Sequence, residues 1–432
     1  MDREGVKGMA RIHVEVYGCS ANQADFEMVQ GLLCGAGHTL VGEPEAADAS
    51  VVLTCTVKTP TERKIVKRIR RLSALGGPLV VAGCMPEAQR GLVEETAPGA
   101  SMVGPDNLLD IVDVVEATIE GGRVEALQGG VLDRTCLPRI RRNPVIHIAP
   151  VASGCLGDCS YCIVRRARGR LSSFPAERIV DDAKRALGEG CREIWVTAED
   201  TAAYRDGEIG LPQLLGELAN LEGRFFIRVG MMNPNNALPI LDDLIEAFGS
   251  EKVFKFLHVP VQSGNDEVLG RMRRRYSVDD FRGLVRRIRV AFPMLTLSTD
   301  IICGFPGETE EQFQDSLRLI EEVKPEVLNI SRFWPRPGTE AEAMDSQLHG
   351  RETKDRSRRL SALWRRQSLE GSQQWKGWEG EILIDEVGKE GSMVGRNFAY
   401  KPVVIEDEID LGDIVKVRVT EAHGGYLSGM TV

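Results

Sequence analysis

No apolar run in these 432 residues reaches the length of a membrane-spanning helix, so no membrane segment is expected. Residues 1–11 are charged and polar, and nothing in them reads as a secretory leader. Aromatic residues are sparse at 6%, and the six histidines form no pair at ligand spacing. His258 therefore reads as a strand residue near a pocket rather than a metal ligand. No flavin or nicotinamide fingerprint is present, so any redox step needs an external electron donor. The net charge of −10 excludes a generic polyanion binder. Cysteine, by contrast, is present ten times. Without a secretory leader, that number points to a reducing compartment, the cytoplasm, and to thiolates used as ligands rather than disulfides.

The densest cysteine stretch is Cys155-Leu156-Gly157-Asp158-Cys159-Ser160-Tyr161-Cys162. Its C-x3-C-x2-C spacing lets one short loop hold three corners of an inorganic cluster. A four-iron cube is usually held by four thiolates, so three leave an iron open for chemistry. Gly154 and Gly157 permit the tight wrap. A zinc knuckle would need a second pair close by, and the next cysteine is Cys191.

Residues 11–17 alternate like a strand, and residues 50–53 and 79–82 are short apolar strands. Helices are expected at 22–35 and 61–75, with Pro60 just before the second and Pro86 opening a third. This alternation predicts a parallel sheet with helices on its faces. Cys19, Cys55 and Cys84 each follow one of these strands. The carboxyl edge of a parallel sheet is where ligands gather, so the three should meet in space as a second open thiol set. The bland alternative is three separately buried thiols.

After an irregular linker at 121–144, strands are expected at 145–152, 193–197, 225–230, 254–261, 295–303 and 327–333. Helices are expected between them at 177–188, 211–221, 237–248, 278–292 and 310–324. Six such units predict a parallel barrel or part of one, with its site at the strands' carboxyl ends. The Cys155 loop follows the first strand, Glu199-Asp200 the second, Gln262 the fourth, 304–308 the fifth and Arg336 the sixth. Converging polar residues suit a polar cofactor, although an acid or amide after a strand is more often a cap. Residues 367–375 would end the preceding helix. Pieces at 381–385, 403–405, 414–420 and 426–429 then read as a small antiparallel barrel, a type that often binds nucleic acid. Basic runs at 63–71, 139–142, 165–170, 271–275 and 356–366 suit selective docking of a polyanion. In the first of these, Ile65, Ile69 and Leu72 at helical spacing make part of the charge a helix's wet face.

With these pieces in order, GCLGDCSYC resembles the cluster motif of the radical S-adenosylmethionine (SAM) enzymes, and the whole chain resembles their methylthiotransferase branch. YGCSANQAD, TCTVKTPTE, VAGCMPE, LHVPVQSGND, TDIICGFPGETEEQF and WPRPGT carry that likeness. The resemblance implies three domains: a flavodoxin-like parallel α/β domain at 10–120, a partial (β/α)6 radical SAM barrel at 141–370 and a TRAM barrel at 373–432. It implies two [4Fe-4S] clusters, an auxiliary one on Cys19, Cys55 and Cys84 and a SAM-binding one on Cys155, Cys159 and Cys162. Tyr161, Glu199, Gln262 and Arg336 are the candidate SAM contacts. TCTVKTPTE, TAEDTAAY and TDIICGFPGETE are similar to the archaeal and eukaryotic branch. That branch converts N6-threonylcarbamoyladenosine at position 37 of the tRNA anticodon loop to its 2-methylthio derivative. SAM there serves as methyl donor and radical source, and a monomeric cytoplasmic enzyme is implied. The branch more often has Ser-Glu-Asp-Thr-Gly where this chain has Ala198-Glu199-Asp200-Thr201-Ala202. Isopentenyladenosine-37 in tRNA, or a ribosomal protein aspartate, is the alternative substrate, and a non-catalytic iron-sulfur RNA-binding protein the alternative class. Cys34, Cys191 and Cys303 read as packing residues, and Cys136 is unassigned.

Overall fold

The computed structural model describes residues 8–57 and 59–432. Lys58, inside TCTVKTPTE, and residues 1–7 lie outside the described residues. The chain divides into two compact units.

The first unit runs to Arg142 and also takes in Ser153–Cys155 and Cys162–Ser172. In order, its elements are β1 (Arg11–Val16), α1 (Ser20–Gly35), β2 (Thr39–Val41), β3 (Ala49–Thr54), α2 (Thr59–Ala74), β4 (Leu79–Gly83), α3 (Cys84–Ala88), α4 (Arg90–Thr96), β5 (Ser101–Val103), α5 (Ile111–Ile119) and β6 (Glu125–Ala126). The strands form one parallel sheet, β2-β1-β3-β4-β5-β6. Every residue of β3 and β4 is buried, which is why both read as continuous apolar runs rather than alternating ones. On α2, Ile65, Ile69 and Leu72 are buried, with the basic side chains between them.

Six strands replace the expected three. The extra ones, β2, β5 and β6, are three, three and two residues long, too short for a periodic signal. Pro60 is the second residue of α2 rather than its predecessor, where a missing N–H costs nothing. Pro86 sits inside α3. The 121–144 segment is irregular as expected apart from β6, but it is tied down. Buried Arg134 donates from Nε to Asp25 Oδ1 at 2.8 Å and from Nη1 to Asp106 Oδ1 at 3.2 Å.

The second unit comprises Asn143–Ala152, Leu156–Tyr161 and Ser173–Val432. Its first strand is β7 (Ile146–Pro150). The two-residue strands β8 (Ala152–Ser153) and β9 (Ser172–Ser173) flank the cysteine segment, which holds α6 (Val164–Arg168) of the first unit. Next come α7 (Ala176–Gly188), β10 (Glu193–Thr197), β11 (Arg205–Asp206), β12 (Ile209–Gly210), α8 (Leu211–Ala219), β13 (Phe226–Val229), α9 (Pro234–Ala237), α10 (Leu241–Phe248), β14 (Phe256–His258), α11 (Asp266–Arg271), α12 (Val278–Ala291), β15 (Thr296–Cys303), α13 (Glu310–Val323), β16 (Val327–Arg332) and α14 (Gly350–Ser372). All six expected strands form, in two parallel sheets ordered β13-β10-β7 and β14-β15-β16. A parallel bridge, Ile227 to Val253, lies where the two sheets approach.

Several spans are a residue or more shorter than expected, and two of them are interrupted at a proline. Pro260 ends the 254–261 strand early, leaving β14. Pro239 splits the 237–248 helix, so a 3-10 turn, Leu238–Ile240, separates α9 from α10.

The chain then forms a closed barrel from β17 (Glu379–Val387), β18 (Met393–Arg396), β19 (Pro402–Ile405), β20 (Ile414–Ala422) and β21 (Leu427–Thr431), ordered β17-β18-β19-β21-β20. It is not wholly antiparallel as expected. β19 and β21 pair in parallel, Val403 opposite Leu427, and β18 had no visible sequence signal. Tyr400, at φ +59°, packs its ring 4.9 Å from Phe254 and 5.3 Å from Phe256, which seats the barrel on the parallel sheets.

Several arginines of the basic runs are interior. Arg356 is buried on α14, with Nη1 2.7 Å from Glu308 Oε2, and Glu308 in turn accepts from the Gly304 N–H at 2.7 Å. The GFPGE turn after β15 is therefore held by a buried ion pair. Losing one partner of such a pair strands a charge, at a cost of about 3–5 kcal/mol. Arg356→Met is expected to lose about that much stability, read as a lower urea midpoint. An unchanged midpoint would show that Glu308 finds another partner.

Candidate active site

In the first unit, Cys19 is the N-cap of α1, Cys55 directly follows β3, and Cys84 opens α3 after β4. Asn22 bonds the Thr54 carbonyl and the Cys84 thiol and packs against Gly18, so the three cysteine turns lie together at the sheet's carboxyl edge. Asn22 is the clip. Its Nδ2 donates to the Tyr17 carbonyl at 2.9 Å and to the Thr54 carbonyl at 2.8 Å. Its Oδ1 accepts from the Cys84 thiol at 3.7 Å and from Arg168 Nη2 at 2.9 Å. Gly18 has φ +130°, and a Cβ there would stand 2.7 Å from Cys55 Cβ. Only glycine allows the Cys19 turn to come so near Cys55.

Burial pushes the Cys55 thiol up and the Cys84 thiol up to about 12. Cys19 is exposed. Among the described residues, no three His, Cys, Asp or Glu groups are arranged to hold a single metal ion. A cube's corner irons stand apart, so its ligands need not converge on one point. Three neighbouring thiols beside the buried Arg168 guanidinium therefore fit an anionic, thiolate-held cluster better than a lone ion.

The second unit holds the middle of the C-x3-C-x2-C loop. Arg274 Nη1 lies 3.4 Å from Cys159 Sγ. That guanidinium is fixed by the Pro260 carbonyl at 3.1 Å and the Tyr276 hydroxyl at 2.9 Å. Ser160 donates from N to the Met272 carbonyl at 3.2 Å and from Oγ to the Arg271 carbonyl at 2.8 Å, and its own carbonyl accepts from Ala341 N–H at 2.8 Å. Tyr161 packs edge-on to Phe305, ring centroids 6.4 Å apart, in a cluster with Val268, Met272 and Phe333. A half-buried cation beside one thiol and a backbone pinned on two sides fit a loop that grips a bulky anionic group.

The other candidates sit at strand ends. Glu199 lies in the turn after β10, half-buried. Its neighbour Asp200 is buried and accepts from Asn233 N–H at 3.0 Å and Asn236 Nδ2 at 2.7 Å. Asp200 thus ties the loop to α9, and burial raises its carboxyl above the usual range. Gln262 adopts φ +70° while its backbone bridges Ile301, a strained conformation of the kind concentrated at ligand sites. Arg336 is buried in the WPRPGT turn, and its carbonyl accepts from Thr339 N–H and Oγ1. His258 is a strand residue as expected, ending β14 with Nε2 2.9 Å from Asp300 Oδ1. Cys191 and Cys303 are buried, consistent with packing, whereas Cys34 and Cys136 are half-buried.

Sequence reasoning missed Asn22, Arg168 and Arg274. The arginines were visible only as members of basic runs, and Asn22 only as a letter in YGCSANQAD.

Comparison with known proteins agrees with this architecture. Residues 150–320 match the Radical SAM superfamily, residues 373–432 the TRAM domain, and residues 11–104 the "Uncharacterized protein family UPF0004". A solved radical S-adenosylmethionine methyltransferase from Kitasatospora setae, with cobalamin and a [4Fe-4S] cluster bound, superposes with TM-score 0.58 at 15% identity, over 78% of this chain and 74% of its own. The fold is thus that of the radical SAM enzymes. Among sequence relatives, the probable threonylcarbamoyladenosine tRNA methylthiotransferase of Methanothermobacter thermautotrophicus is 42% identical over 96% of this chain and 98% of its own length. That of Pyrococcus abyssi is 43% identical over 98% and 99%. The human threonylcarbamoyladenosine tRNA methylthiotransferase is 36% identical over 99% of this chain and 75% of its own length. The chain belongs to the threonylcarbamoyladenosine tRNA methylthiotransferase family.

Because Cys84's folded value lies above its unfolded 9.0, the buried neutral thiol contributes stability below about pH 9 that is lost as pH rises towards 12. In the metal-free folded chain at pH 8, iodoacetamide is expected to modify Cys19 first and Cys84 last of these three thiols, the difference vanishing in urea. Equal folded-state rates, read by peptide mass spectrometry, would contradict the buried placement of Cys84.

Proposed function

We propose that this chain methylthiolates C2 of N6-threonylcarbamoyladenosine at position 37 of tRNA. The observation that carries this reading is the pairing of two open three-thiol sets with near-full-length similarity to relatives named for that activity. Cys19, Cys55 and Cys84 would hold an auxiliary [4Fe-4S] cluster. Cys155, Cys159 and Cys162 would hold the SAM-binding one, with Tyr161, Glu199, Gln262 and Arg336 placed for SAM. When bound, the clusters and SAM supply the radical and the methylated sulfur that an unactivated aromatic C–H demands.

The chain's own part is positional. Arg274 and the Ser160 backbone bonds keep the Cys159 loop in one shape. Asn22 keeps the Cys19 and Cys55 turns together. We assign residues 10–120 to the auxiliary-cluster domain, 141–370 to the radical SAM core and 373–432 to tRNA binding. The carboxyl-terminal barrel supports the last assignment with a stacked His423–Tyr426 pair, ring centroids 4.3 Å apart, of which Tyr426 is exposed. Splayed bases of RNA loops stack on such rings. None of the described helices is long and apolar enough to cross a membrane. A monomer in the cytoplasm, fed by an external electron donor, completes the reading.

Anaerobic reconstitution is expected to load about eight irons per chain, falling to about four in the Cys155/Cys159/Cys162 triple alanine variant. Retention of all iron in that variant would remove the SAM-cluster assignment. Cys159→Ala is expected to abolish SAM cleavage, and Cys55→Ala to keep cleavage while losing the thiomethyl product. Nucleoside mass spectrometry of tRNA from cells with and without the chain reads that product. A 2-methylthio mark on isopentenyladenosine instead would overturn the substrate.

A further inference from the structure

Arg168 ends α6, six residues after Cys162, yet its side chain belongs to the other cysteine set. The guanidinium is buried, and Nη2 donates to Asn22 Oδ1 at 2.9 Å and to Asp25 Oδ2 at 2.6 Å. Cys84 Sγ donates to the same Asn22 Oδ1, which sets the guanidinium beside that thiol, and its charge pulls the Cys84 and Cys55 thiols down against burial. Asp25 is shared, since its other oxygen takes Arg134, whose second carboxylate is Asp106. Two guanidiniums thus meet two carboxylates, and of the four groups the Arg168 guanidinium is the one that bears on the thiols.

The backbone beside Arg168 faces the other way. The Gly169 carbonyl accepts from the Cys155 N–H at 3.3 Å, with Gly169 at φ +71°. A Cβ on Gly154 would collide with the Arg170 carbonyl and stand 2.7 Å from that of Arg168. One short segment thus touches the auxiliary thiols with its side chain and the Cys155 turn with its main chain.

We infer that Arg168 is a positioning residue for the auxiliary cluster, supplying the positive charge its buried thiolates need and locking the Cys155 turn to the same pocket. This rests on the two-cluster reading above. Burying thiolates without a nearby cation is costly, and net charge and hydrogen bonding at the sulfurs set a cluster's potential. Removing the guanidinium makes the more negative, reduced state harder to reach. A lysine keeps the charge but cannot span Asn22 and Asp25 with a planar fork.

The test uses the full chain carrying the Cys155/Cys159/Cys162 triple alanine change, so that only the auxiliary cluster is read. Arg168→Met or Arg168→Lys is added, and the reduced cluster is followed by electron paramagnetic resonance in a redox titration. Arg168→Met is expected to shift the midpoint to more negative potential and to speed iron loss to a chelator several-fold, with Arg168→Lys between it and the parent. A midpoint and iron-loss rate equal to the parent's in Arg168→Met would overturn the inference. Should Arg168→Met fail to fold, Arg168→Gln, which removes the charge and keeps a donor, takes its place, and parent-like values there would overturn the inference just as well. A parent that binds no iron would instead bring down the two-cluster reading, and this inference with it, a failure visible before any Arg168 variant is made.

Discussion

The carboxamide of Asn22 is the contact on which the amino-terminal thiol set depends. Two parallel strands, β1 and β3, end side by side, with Val16 opposite Leu53, so the carbonyls of Tyr17 and Thr54 both lie within reach of one side chain. Asn22 donates to both, at Tyr17 and Thr54, and turns its oxygen to Cys84 and Arg168. The chain turns on either side carry Cys19 and Cys55, so pairing the strand ends also pairs the cysteines. A buried carbonyl without a donor costs on the order of 1–3 kcal/mol. The arrangement is therefore favoured by the backbone itself, before any cluster arrives.

The same economy recurs around the second set. The loop between Cys159 and Cys162 has no regular structure, yet Ser160 is bonded to residues 271, 272 and 341 and Arg274 reaches Cys159. The turns at the mouth are held from behind. Asp200 binds α9, and Glu308 joins Gly304 to Arg356 on α14. Acids that a sequence scan assigns to the ligand are thus divided in work. Half-buried Glu199 is placed at the mouth, while its buried neighbour Asp200 holds the loop in shape.

Basic runs show the same division. Arg168 and Arg356 are buried, and Arg274 half-buried, against carboxylates, carbonyls or thiols, whereas Arg166, Arg170, Arg273, Arg275 and Arg358 are exposed. A run of arginines in a sequence therefore mixes surface charge with interior structure, and only burial separates them. Here the interior members bear on the cysteine loops and the turns at the barrel mouth.

Much was decided by the sequence alone. The C-x3-C-x2-C spacing is local, so its meaning survives any fold. Strand–helix alternation is also local, and it located all six strands of the second unit's two parallel sheets and the three longest of the first unit. The position of Cys19, Cys55 and Cys84 after successive parallel strands implied their meeting, because parallel strands end on one edge. What the sequence could not show were features without a period or features made by distant partners. Strands of two or three residues carry no pattern, and the parallel closure of β19 on β21 depends on how the barrel shuts. Asn22, Arg168 and Arg274 acquire their roles only through residues tens to more than a hundred positions away. Pairing across such separations is a property of the packed chain, so tertiary structure alone decided which polar side chains serve the cysteines and which face water.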